Sequence, residues 1–226
     1  MIYNDTHLFV PLPKCASTFV VLNMLKPMFG WKKVDPAPFK SNYHRPYCSA
    51  HESIREGRTP FTTIRDPWSF YQSLHRYFWA WSEPAPKDFL GKWKLFLDGQ
   101  DHGRYPVWQK IDVNVFGLMR RHDIGLLTVN YIIECAVNPV EFLHCRQAPE
   151  DVEIAIDDVL KIDTLSETLI SYLGLNREQA TFLRRTKNEN VAKGEKPKYD
   201  KELSNLIAHK ERLIINRFGF GSKKPL

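Results

Sequence analysis

The 226-residue chain carries 32 Lys and Arg against 26 Asp and Glu, a formal charge of +6, and its 43% hydrophobic content is enough to bury a core. That size fits a single domain over 1–226. The positive balance suits an anionic ligand, while the scatter of basic residues and the lack of zinc-finger, zipper or RNP patterns argue against nucleic acid.

No apolar run reaches the length of a bilayer span. Cys15, Cys48, Cys135 and Cys145 form no CxxC pair and fit reduced thiols in a cytoplasm better than a disulfide scaffold. The first apolar run follows the N-terminus almost at once, with no basic leader ahead of it.

In chain order, residues 8–12 read as a buried strand. Pro13-Lys14-Cys15-Ala16-Ser17-Thr18-Phe19 then reads as a tight turn into a helix that runs to about Met28, with Ser17 or Thr18 as its cap and Gly30 as its stop. Such a start presents backbone N–H groups and a positive dipole end to an anion, and Lys14 adds a mobile charge. The turn lacks the GxxxxGK[ST] pattern, so an ordinary ATP or GTP loop is not indicated.

Residues 32–47, with Pro36, Pro38 and Pro46, predict a loop that can form part of a substrate mouth. A short helix is expected over 49–58, with Ser49 and Glu52 in capping-box relation and Gly57 as its stop. Phe61-Thr62-Thr63-Ile64 is strand-like, Arg65-Asp66-Pro67 turns the chain, and 68–78 predicts a helix. On it Phe70, Ser73 and Tyr77 share one side, so Ser73 can join Arg65 at a polar opening.

An aromatic loop and a helix over 87–97 follow, then a strand or connector over 113–119 and a helix over 122–137 that Asn138-Pro139 stops. Strand character returns over 141–145, and 154–162 is ambiguous. Asp163 is the expected cap of a helix over 164–173 that Gly174 ends. Asn176 and Gln179 have capping-box spacing for a helix over 176–184. A basic loop spans 186–199, and Asp200 caps a last helix over 201–218 with an apolar stripe. Strands alternating with longer helices predict a parallel α/β core.

Taken together, the turn at 13–19 resembles the 5'-phosphosulfate loop of sulfotransferases, and Ile64-Arg65-Asp66-Pro67 with Ser73 downstream resembles their 3'-phosphate motif. The layout is similar to carbohydrate-type and bacterial members. The resemblance implies a P-loop-like three-layer α/β fold with a central parallel sheet flanked by helices. It also implies 3'-phosphoadenosine 5'-phosphosulfate as sulfuryl donor, with no metal.

By position, Lys14, Ser17, Thr18 and the amides from Cys15 through Ala16 to Phe19 would hold the 5'-phosphosulfate, and Arg65 and Ser73 the 3'-phosphate. A guanidinium fork suits phosphate oxygens, and Lys14 near the bridging oxygen can offset charge on the departing adenosine 3',5'-bisphosphate. Ala16 stands where many relatives carry Gly, which narrows the loop's backbone geometries. Lys193-Gly194 is similar to part of an Arg-Lys-Gly element that supports the 3'-phosphate, which makes Lys193 and Arg184 further candidates.

The acceptor, a small-molecule or glycan hydroxyl, needs a general base. His44 is the first choice, because its spacing before Arg65 is similar to that of a His in carbohydrate-type relatives. His51 and Glu52 are the alternatives, because related enzymes use either residue type. An ATP-dependent kinase and a catalytically silent nucleotide-binding module are the other readings.

Overall fold

The structure, a computed structural model, describes residues 1–34, 46–79, 93–94, 96–98, 115–186 and 199–221. They pack as two compact units. Met1–Arg65, Glu134–Asn138 and Glu153–Val191 form the first, and Asp66–Ile133, Pro139–Val152 and Ala192–Leu226 the second.

The first unit is α/β, built on a five-stranded sheet of β1 (Ile2–Tyr3), β2 (His7–Phe9), β3 (Lys32–Lys33), β4 (Thr59–Ile64) and β5 (Asp158–Lys161), ordered β3-β1-β2-β4-β5. β2, β4 and β5 run parallel, with Phe9 opposite Phe61 and Phe61 opposite Asp158. β1 is antiparallel to both β2 and β3, so the sheet is mixed where an all-parallel one was expected. The cause is local. The Asn4 side chain accepts from the backbone N–H of Thr6 (3.0 Å) and His7 (2.7 Å), closing a turn too short for anything but antiparallel pairing. Two-residue strands, one of them exposed Lys32-Lys33, carry no alternation to read.

Pro60 sits inside β4, which lies between two partners. The N–H of Thr59 and the carbonyl of Phe61 bond toward β2, so position 60 faces β5, whose pairing begins only at Phe61. The missing N–H therefore costs no ladder bond. Over the sheet lie α1 (Ser17–Met24), α7 (Leu165–Tyr172) and α8 (Arg177–Arg185). Val20, Val21 and Met24 of α1 join Phe9, Phe61, Leu160, Leu165, Leu169 and Leu183 in one buried cluster.

The expected capping box is present: Asn176 Oδ1 accepts from Gln179 N at 3.0 Å and Gln179 Oε1 from Asn176 N at 3.1 Å. Gln179 also donates to the Met28 carbonyl at 2.7 Å. α7 starts after Thr164, with no side-chain cap from Asp163. α2 (Glu52–Arg55) is capped by His51 rather than by Ser49.

The second unit holds α3 (Pro67–Trp79), α4 (Val115–His122), most of α5 (Leu126–Cys135), α6 (Val140–Leu143), α9 (Lys201–Lys210) and α10 (Arg212–Phe218). α4 replaces the strand or connector read over 113–119, and its buried Val115, Leu118 and Met119 have helical spacing. α6 replaces the strand read over 141–145, with Pro139 as its N-cap residue and the Pro139 carbonyl accepting from Leu143 N at 2.8 Å. Asp200 caps α9 through the Leu203 N–H at 2.6 Å, as expected.

The single helix expected to Phe218 breaks at Glu211. The Lys210 carbonyl is taken by the Gly125 N–H at 2.8 Å, and the fully buried Glu211 carboxylate turns to the start of α5. There it accepts from Leu127 N and Thr128 N (2.9 Å each), and from the Thr128 and Tyr71 hydroxyls (2.6 Å each). A distant side chain thus satisfies amides that a helix start leaves unpaired. Asp123 anchors the same junction, accepting from Lys210 at 2.7 Å and from His209, while its carbonyl accepts from Arg212 at 2.6 Å. Among the described residues no helix is long and apolar enough to cross a membrane.

Candidate anion-binding site

β2 leads into the turn at the C-terminal end of the parallel strands. Val10 makes the last ladder bond, N–H to the Phe61 carbonyl at 2.9 Å, and Cys15 N closes a turn on the Leu12 carbonyl at 3.3 Å. Lys14 (φ 60°) and Ala16 (φ 61°) are both left-handed, flanking a fully buried Cys15. Ala16, not Ser17 or Thr18, is the N-cap residue, and its methyl side chain makes no cap hydrogen bond to α1. The first helical bond runs from Val20 N to the Ala16 carbonyl, so the amides of Ser17, Thr18 and Phe19 precede the ladder. This is an amide-rich turn suited to an oxyanion.

Ala16 therefore holds a conformation in which its Cβ costs about 1–2 kcal/mol. Ala16→Gly relieves that strain and restores about 0.4–1 kcal/mol of unfolded-state freedom. The expected outcome is a gain of about 0.5–1 kcal/mol in urea unfolding, and a loss on substitution would contradict the strain.

Arg65 follows directly on β4, so Lys14 and Arg65 leave the same end of neighbouring parallel strands. The Lys14 ammonium is pushed down to about 7, first by burial and then by the Arg65 guanidinium. Two cations held close enough to repel favour a multiply charged anion. Asp66 does local work in the second unit, its carboxylate accepting from Ser69 N at 3.1 Å at the start of α3.

The remaining sequence candidates are placed differently. Ser73 is half-buried on α3, about 9 Å along the helix axis from Pro67, beside the fully buried Phe70. His51 is exposed and engaged locally, its Nδ1 accepting from Ser53 N at 3.3 Å and lying 2.8 Å from Ser53 Oγ; Glu52 is exposed beside it. α2 leads into the N-terminal end of β4, where Arg58 bonds the Ser53, Ile54 and Asn4 carbonyls. The end of α2 and Arg65 are thus separated by the length of β4, about 17 Å. Arg184 is exposed and forked onto Glu167, with Nε and Nη2 donating at 2.8 Å each, so it is not directed at the loop. His44 and Lys193 lie outside the described residues.

Two features of the first unit have no counterpart in the sequence reading. Thr62 and Thr63, both fully buried, donate to the Val10 carbonyl (2.6 Å) and the Cys15 carbonyl (2.5 Å) respectively. Glu134 is only 9% exposed, and its Oε2 meets no hydrogen-bond partner among the described residues.

Burial pushes the Glu134 carboxyl from 4.5 up to about 8. Between those values the folded chain binds more protons than the unfolded one, so stability falls as pH rises, by roughly 5 kcal/mol over the whole window. Glu134→Gln, a neutral match for the protonated acid, is expected to flatten that fall in urea titrations from pH 5 to 8. An unchanged slope would place the proton elsewhere.

No protein-family model, curated protein or solved structure matches the chain.

Proposed function

We propose that the chain is a sulfotransferase, working without a metal, that moves the sulfuryl group of 3'-phosphoadenosine 5'-phosphosulfate to an acceptor hydroxyl, on a carbohydrate or glycolipid. The observation that carries this is the pairing of Lys14 and Arg65 at one end of the parallel strands, next to a helix start whose N-cap residue, Ala16, offers no side-chain cap. The motif resemblance at 13–19 and 64–73 supplies the donor's identity. The reading includes a P-loop-like three-layer fold and a cytoplasmic setting.

In this reaction the acceptor oxygen attacks sulfur, the bond from sulfur to the bridging phosphate oxygen breaks, and the acceptor proton passes to a base. The products are a sulfate ester and adenosine 3',5'-bisphosphate. The amides of Ala16 to Phe19 and the Lys14 ammonium hold the 5' group, the Cys15 amide expected to join them being turned instead to the Leu12 carbonyl, and Lys14 meets the charge that develops on the leaving oxygen. Arg65 takes the 3'-phosphate. His44 stays the first candidate for the base, because His51 is committed to capping α2 and Glu52 sits on that same exposed turn.

Calorimetry with adenosine 3',5'-bisphosphate, AMP and ATP tests the donor assignment. The bisphosphate is expected to bind at least about 10-fold tighter than AMP, the value of one charge-assisted phosphate contact. Equal affinities would remove the Arg65 assignment. Radiolabelled donor with an acceptor panel, with and without EDTA, then tests turnover. EDTA-sensitive phosphoryl transfer from ATP would favour a kinase, and donor binding without transfer a silent module.

A further inference from the structure

We propose that Thr63 is a positioning residue that aims the Ala16 N–H at the bound anion, whereas its neighbour Thr62 only anchors the base of the loop. The inference rests on reading the 13–19 turn as the anion-holding end of the donor site. Adjacent strand residues point to opposite faces. Even so, both hydroxyls reach carbonyls of the same segment, Thr62 at Val10 and Thr63 at Cys15. Valine has the same shape and suits a buried strand at least as well, and a buried hydroxyl is costly unless bonded. The paired bonds give both threonines a reason to be there.

The two bonds differ in what they direct. A peptide unit is planar and trans, so its C=O and the next N–H point in opposite directions. Pinning the Cys15 carbonyl onto Thr63 therefore turns the Ala16 N–H away from β4. The pinned unit joins Cys15 to left-handed Ala16, one residue after left-handed Lys14, so its orientation also sets how the amide nest opens. The Val10 carbonyl belongs to a peptide whose nitrogen is that of Pro11, which has no hydrogen to aim. Thr62 is thus an internal control, with a bond of similar length and equal burial but no donor behind it.

The test compares wild type with Thr62→Val, Thr63→Val and Thr63→Ser, titrated calorimetrically with inorganic pyrophosphate and with adenosine 3',5'-bisphosphate and followed by thermal unfolding. Both valine variants are expected to lose similar thermal stability. Thr63→Val should bind either ligand about 10-fold more weakly, Thr62→Val within about 2-fold of wild type, and Thr63→Ser should recover most of the affinity.

Equal losses in the two valine variants, or no loss in Thr63→Val, overturn the assignment. If Thr63→Val does not fold, the wild-type Ala16 amide gives the answer: its proton resonance should move downfield with pyrophosphate, and an unmoved resonance overturns the proposal. Pyrophosphate binding without preference for the bisphosphate over AMP defeats the sulfotransferase reading alone, leaving Thr63 to the pyrophosphate series. A wild type that binds neither ligand defeats both.

Discussion

Glu211→Ala is expected to lower the stability of the second unit by about 3–5 kcal/mol, the cost of stranding buried partners of a charged group. Four donors lose their acceptor at once: the amides of Leu127 and Thr128 and the hydroxyls of Thr128 and Tyr71. Burial pushes the Glu211 carboxyl above its usual range while these four donors pull it back, so the group depends on the network being complete.

Gly125→Ala reaches the same network from outside. A Cβ there would lie 2.1 Å from Glu211 Oε1 and 2.8 Å from Tyr71 Oη, and the hydrogen bonds leave the carboxylate nowhere to swing. Both single variants should unfold at lower urea concentration. The double variant should fall well short of the sum of the two, because removing the carboxylate makes room for the methyl group. Strict additivity would mean that the clash is absorbed elsewhere.

Lys14→Met is expected to weaken adenosine 3',5'-bisphosphate binding by about 10- to 100-fold, in line with loss of a contact worth about 1.5–3 kcal/mol. The effect has a pH signature. Lys14 titrates at about 7 in the folded chain, so above neutrality the free protein has shed much of this charge and an incoming anion must restore it. Wild-type affinity should tighten as pH falls from 9 to 6. Titrations at pH 8 in buffers of different ionisation enthalpy should report proton uptake, which Lys14→Met abolishes. Uptake that survives the substitution would assign the proton to another group.

The folded value lies below that of the unfolded lysine, so the folded chain binds fewer protons and its stability rises with pH from about 7 to 10.5. At or below pH 7, Lys14→Met should therefore stabilise the ligand-free protein even as it impairs binding, a trade typical of sites built to hold charge.

Elements specified by neighbouring residues were legible. The strand and turn leading to Ser17, the Asp66-Pro67 helix start, the Asn176–Gln179 box and the Asp200 cap all draw on residues within a few positions of one another. What escaped was set by distant partners. Glu211 falls within the single helix read over 201–218, yet its amide partners lie 84 and 83 positions away. Thr62 and Thr63 read as β-branched strand formers, because nothing local reveals that their hydroxyls meet carbonyls about 50 residues upstream. Arg184 looked available for phosphate until folding set it opposite Glu167. For α1, hydroxyls at positions 17 and 18 suggested a cap, but the left-handed turn at Ala16 starts the helix one residue early and puts both inside it.

The order of the strands has a consequence for how the protein is made. β2 meets β4 about 50 residues after it emerges, and β4 waits from Phe61 to Asp158, nearly 100 positions, for its other neighbour. The helices that close the layer over α1 come later still, at Leu165–Tyr172 and Arg177–Arg185. Such non-local pairing slows folding and leaves β4 an open edge on the growing chain. The turn at 13–19, clasped by Thr62 and Thr63 and proposed above to hold the anion, is therefore expected to reach its final form only late in synthesis. Nascent chains stalled before β5 should be the ones that chaperones retain.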